Sequence, residues 1–114
     1  MITEIVAKKI SEAGRTSGTI NSLEAIGAAR AIKALLVGAF PGCKITHNRG
    51  HFYASGFVRR GDAVAYYNSG DFRGGFGFYA RTARDEKDYT GGPNNPCSVA
   101  SLVPTLERLL SGAV

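Results

Sequence analysis

The sequence predicts an α+β domain: an antiparallel sheet of three to four strands with helices packed on one face, in the order α-α-β-β-β-α. Apolar residues recur at helical spacing toward both ends of the chain, and between them short alternating runs take over. All eleven aromatic residues lie in that middle part, from Phe40 to Tyr89. At 114 residues one domain is expected, since a second independent core would not fit.

Residues 1–13 read as a helix, with Ile2, Ile5, Val6 and Ile10 on its buried stripe and Glu4, Lys8 and Glu12 toward solvent. GRTSG, Gly14 to Gly18, reads as a linker. Asn21 and Glu24 have the spacing of a capping box and open a helix to about Val37. Ala25, Ala28, Ala29, Ile32, Leu35 and Leu36 form its packing face, and Gly38 with Pro41-Gly42 ends it.

HFYASGFV (51–58), AVAYYN (63–68) and FGFYART (76–82) read as strands, the first two joined as a hairpin by Arg59 to Asp62. Alternation in the third sends Phe76, Phe78 and Ala80 to one side and Gly77, Tyr79 and Arg81 to the other. A further strand around Lys44 to His47 has a weaker pattern. Ser69 to Gly75 reads as a glycine-rich loop, and Asp85 to Pro96 as a polar loop rich in turn formers. A closing helix near 102–110 buries Leu102, Val103, Leu106, Leu109 and Leu110, with Ser101 as N-cap and Pro104 in the first turn.

Apolar residues make up 44% and charged residues 20%, which suits a folded chain rather than a disordered one. No internal repeat suggests a solenoid. No apolar run approaches the ~20 residues of a membrane-spanning helix, so no membrane partner is expected. MITEIVAKKISEAG lacks the apolar block of a secretory signal. Fourteen Lys and Arg against nine Asp and Glu give a net charge of +5, which favours anionic partners. Cys43 and Cys97 do not make a disulfide framework; a reducing cytoplasm is the expected compartment, with a single bridge between them left open.

The central tract interleaves aromatics with Lys44, Arg49, Arg59, Arg60, Arg73, Arg81, Arg84 and Lys87. An exposed sheet so equipped could stack bases and hold phosphates of single-stranded RNA or DNA. The same aromatics also suit ordinary strand packing. Cys43, His47, His51 and Cys97 invite a zinc reading, but glycines break any helix there. On a strand the outer ligands would lie ~13 Å apart, so no metal or other cofactor is expected. No acid–base pair or nucleophile signature stands out, so no catalytic residue is assigned. Arg84, Asp85, Glu86, Lys87 and Asp88 read as a mixed-charge solvated loop.

HFYASGFVRR followed by RTARDEKDYTGGPNN resembles, over about residues 51–95, small proteins carried by bacterial phages and plasmids. These include anti-CRISPR proteins. The resemblance implies a non-enzymatic inhibitor that binds a host defence protein or ribonucleoprotein complex in the bacterial cytoplasm. A direct RNA- or DNA-binding module using the same surface is the alternative, and a small enzyme the third reading. The expected contact surface is the sheet and its loops: Arg59, Arg60, Tyr67, Phe72, Arg73, Tyr79, Arg81, Arg84, Lys87 and Tyr89, since Arg and Tyr are enriched at interface hot spots. Phe72 and Arg73, on a glycine-rich loop, are expected to touch the partner.

Overall fold

A computed structural model describes residues 2–14, 23–50, 53–72, 77–89 and 93–112. Helices α1 (Ile2–Gly14) and α2 (Leu23–Ala39) come first. Strands β1 (Lys44–Arg49), β2 (Ala54–Arg60), β3 (Ala63–Asn68), β4 (Phe78–Ala83) and β5 (Asn95–Cys97) follow, then helix α3 (Val99–Leu110). The fold is α+β, as expected, with five strands rather than three or four. Every strand pairs antiparallel with its sequence neighbour, in the spatial order β1-β2-β3-β4-β5.

The β2–β3 hairpin shows how local chemistry sets the register. Arg60 pairs with Ala63, leaving Gly61-Asp62 as a two-residue turn. Gly61 sits at φ 61°, a left-handed conformation that glycine adopts without steric cost. That turn extends β2 two residues beyond the predicted end. Because successive side chains alternate, it also fixes which residues share a face.

On one face Ala54, Val58, Ala65, Tyr67, Phe78 and Ala80 meet Val6, Ala28, Ile32, Leu36, Leu102 and Leu106 from the three helices, forming the main core. Val6 carries the packing of α1, with Ile10 one turn on against the core. Ile5, expected on that stripe, is 56% exposed because it lies about 100° away around the helix.

Helix α3 begins three residues earlier than the sequence suggests. Ser98 is the N-cap. Its hydroxyl accepts from the Ser101 N–H at 3.2 Å, and the Ser98 N–H donates to Ser101 Oγ at 2.9 Å. Pro104 therefore stands inside the helix, not in its first turn. It is tolerated because Pro104 and Ala100 both lie on the exposed side, where the carbonyl that loses its donor meets water. Strand β5 was missed because three residues around Pro96 give no alternation to read. Gly14, read as the start of a linker, ends α1 instead; the rest of that linker, Asn21 of the expected capping box, His51, Phe52, Arg73 and Phe76 lie outside the described residues.

Candidate binding surface

Among the described residues the opposite face of the sheet carries no helix, and the register arranges it in three rows. Lys44, Arg59, Val64 and Ala83 form one. Thr46, Phe57, Tyr66 and Arg81 form the middle one. Asn48, Ser55, Asn68, Tyr79 and Pro96 form the last. The middle row does not face solvent. The chain after β4 folds back over it and brings Tyr89 edge-on to Phe57 at 5.3 Å and to Tyr66 at 5.8 Å between ring centroids. Phe57, Val64 and Tyr66 thus form a second, smaller core of their own.

Two arginines fasten that covering. Arg59 grips Glu86 with both Nε (2.6 Å) and Nη2 (2.9 Å), a bidentate pair. The guanidinium holds the Glu86 carboxyl down at about 2. Arg81 lies 4.2 Å over the Tyr66 ring and donates to the Asn94 side chain and the Tyr89 carbonyl. Arg84 closes the turn on Asp88, whose carboxylate accepts from both the Arg84 backbone N–H and its Nε.

The predicted contact residues therefore separate into groups. Arg59 and Arg84 lie on or beside the open face, but each is matched by a carboxylate. Arg81 is buried, so it is a fastener rather than a contact residue. Arg60 points to the helix side and pairs with Glu107 of α3 at 2.5 Å. Tyr67 is fully buried in the main core, where desolvation raises its phenol well above the ordinary value. Phe72 is 3% exposed and packs in the same core, so the expectation that it anchors a partner is corrected. The apolar gain of burying a phenyl ring outweighs the freedom of the glycines around it. Arg73 lies outside the described residues. Lys87 and Tyr89 remain accessible, Tyr89 at 54%.

What the register does assemble is a cleft of about 410 Å³ at the polar end of the open face. Tyr53, Tyr66, Tyr79 and Tyr89 wall it, and Ser55, Asn68 and Asp71 give it a polar floor. Asn68 donates from its side-chain amide to the Tyr66 hydroxyl at 3.0 Å and accepts from the Gly70 N–H at 2.7 Å, which fixes the floor. Burial, with Tyr66 alongside, raises the Tyr79 phenol above its ordinary value. Sequence reading named Tyr79 and Tyr89 but missed Tyr53, which is 42% exposed just before β2 and was placed inside a strand. The two-residue turn at Gly61 was the signal that would have aligned Ser55 with Asn68.

Among the described residues no group of three or more His, Cys, Asp or Glu is arranged to hold a metal, and Cys43 and Cys97 are unbridged. No helix among them is long and apolar enough to cross a membrane. Comparison with family models, with curated proteins and with solved structures finds no match.

Proposed function

We propose that this chain is a binding protein, encoded by a phage or mobile element, that docks the tyrosine cleft of its open face onto a protein of a host nucleic-acid-processing defence system. The cleft is the observation that carries the binding reading. Four tyrosines converge there over hydrogen-bonding groups, and two of them, Tyr53 and Tyr89, are 42% and 54% exposed. Large rings with polar tips contribute apolar area and hydrogen bonds at small entropic cost, which is why tyrosine is enriched in hot spots. The resemblance of residues 51–95 supplies the class of partner.

This face supports a protein partner better than a nucleic acid. A phosphate backbone needs unneutralised cations, and Arg59 and Arg84 are already matched by Glu86 and Asp88.

The test is a pull-down from a bacterial host with nuclease treatment, paired with a plasmid-interference assay of the host's defence. A partner protein should survive nuclease and be lost with Tyr53→Ala, and the same substitution should relieve inhibition. Defence that is unaffected by the wild-type chain would refute the inhibitor reading. A complex that dissolves under nuclease would move the assignment to nucleic acid.

A further inference from the structure

The Tyr53 wall of the cleft is held by a glycine. The Gly50 N–H donates to the Tyr53 carbonyl at 2.9 Å, so the two residues meet across the connection from β1 to β2. A Cβ on Gly50 would lie 2.0, 2.4 and 2.6 Å from three carbons of the Tyr53 ring. The ring therefore occupies the space that any side chain at position 50 would need. Gly50 is not among the left-handed glycines, so its backbone alone does not call for glycine; the ring does. One flank of Tyr53 rests on Gly50 and the remainder lines the cleft.

The other walls are inclined to one another. The Tyr66 ring centroid lies 6.3 Å from that of Tyr79 with 51° between the planes, and 5.8 Å from that of Tyr89 with 79°. Inclined neighbours leave wedge-shaped slots. A flat nucleobase stacks on a ring face parallel to its own, and rings so inclined cannot together offer it one. A small puckered ring fits a wedge. Between the rings stand hydrogen-bonding groups: the tyrosine and Ser55 hydroxyls, and Asn68, whose side chain is held by Tyr66 and the Gly70 N–H.

Charge narrows the occupant further. The guanidinium of buried Arg81 lies 4.2 Å over the Tyr66 ring, and its acceptors, the Asn94 side chain and the Tyr89 carbonyl, are neutral. A second cation in the cleft would meet that positive charge across a ring whose π face already serves one. Asp71, also in the lining, is already engaged within the chain. Among the described residues of the lining no Lys or Arg stands ready for a phosphate. The site suits an uncharged segment with apolar rings and open carbonyl oxygens, whose negative ends the Arg81 charge favours.

We propose that the cleft receives a proline-rich segment of the partner protein in the polyproline II conformation, its proline rings seated between the inclined tyrosines and its carbonyls accepting from the tyrosine hydroxyls. Such a segment has no internal hydrogen bonds, so its carbonyls are open, and its conformation is formed before binding. A preformed ligand meeting fixed walls loses little freedom on docking. The cleft, about 410 Å³, lies within the range of ligand pockets and suits a single turn, about three residues. This inference deepens the docking role proposed above and rests on it.

The test is an NMR titration with an oligoproline peptide of about ten residues, a Gly-Ser peptide of equal length, an oligoarginine peptide and a single-stranded oligonucleotide. Saturable shifts of the Tyr53, Tyr79 and Tyr89 ring signals are expected with oligoproline and not with the other three. Gly50→Ala should weaken that binding roughly tenfold or more while the melting temperature stays within about 2 °C, because the added methyl displaces an exposed ring rather than a core side chain. Tyr53→Ala, which removes the ring, should lose binding to the same extent. No shift with oligoproline, equal shifts with the Gly-Ser peptide, tighter binding of oligoarginine or the oligonucleotide, or a Gly50→Ala protein that binds like wild type overturns the proposal. A host partner captured through Tyr53 without any oligoproline binding would leave the docking role standing and remove the proline site. Oligoproline binding with no such host partner would do the reverse.

Discussion

Gly56→Ala is a one-methyl change with a large expected cost. The added Cβ would lie 1.9 Å from the Thr46 carbonyl oxygen, 2.9 Å from its carbon and 2.8 Å from the Tyr67 hydroxyl. Two of these atoms belong to the backbone of β1, which cannot rotate aside, so the strand itself must move. Overpacking a filled site costs typically ~1–3 kcal/mol, and backbone displacement puts this case at the upper end. Loss of the His47–Tyr67 hydrogen bond adds about 1 kcal/mol. Together these lower the melting temperature by roughly 15–20 °C for a domain of this size. Gly38→Ala is the internal control. Gly38 lies within α2 with nothing within 4 Å of the added carbon, and its backbone is not left-handed. The same substitution there should stabilise by about 0.5–1 kcal/mol. Thermal unfolding followed by circular dichroism reads both. Melting temperatures for Gly56→Ala and wild type within about 2 °C of each other would refute the close-approach argument.

Phe72→Ala, in a ring 3% exposed, should destabilise by ~3–5 kcal/mol in chemical denaturation, whereas a contact role alone would leave stability unchanged. Leu106→Ala should cost ~2–5 kcal/mol, because Leu106 is fully buried on the core side of α3; an unchanged midpoint would remove α3 from the core. The Glu86 carboxyl, held at about 2 against an ordinary 4.5, contributes stability that is complete above pH 4.5 and lost as pH falls toward 2. Acid should therefore loosen the covering of the open face, read as a change in tyrosine fluorescence, and Glu86→Gln should flatten that profile. Ser98→Ala removes the hydroxyl that caps α3 and should cost ~1 kcal/mol in thermal unfolding.

Local patterns were legible where both boundaries carried turn chemistry. Strand β3 occupies Ala63–Asn68 as read, because Gly61 ends the preceding strand and Ser69-Gly70 ends this one, Gly70 at φ 71°. The Arg84–Asp88 contact spans four residues, and the sequence already showed that loop as mixed in charge. The open face was far less legible. The acid that matches Arg59 lies 27 residues away and the one that matches Arg60 lies 47 away, so both arginines looked available. The same holds for Phe57 and Tyr66. They alternate like half-exposed strand residues, but the chain after β4 returns to cover them, and no periodicity within β2 or β3 records that return. Gly50 read only as a breaker of helix, and no local pattern records that the Tyr53 ring fills the space of its missing side chain.

The two borders of the sheet are unequal. At one side β5 is three residues long and includes Pro96, which has no N–H to offer, so a further strand finds little to zip onto. At the other, β1 runs for six residues with no neighbour beyond it among the described residues, and Lys44 and Arg49 stand at its ends. Lateral growth of the sheet therefore has a single starting point. An extended segment laid along that border would meet main-chain groups that no described strand occupies.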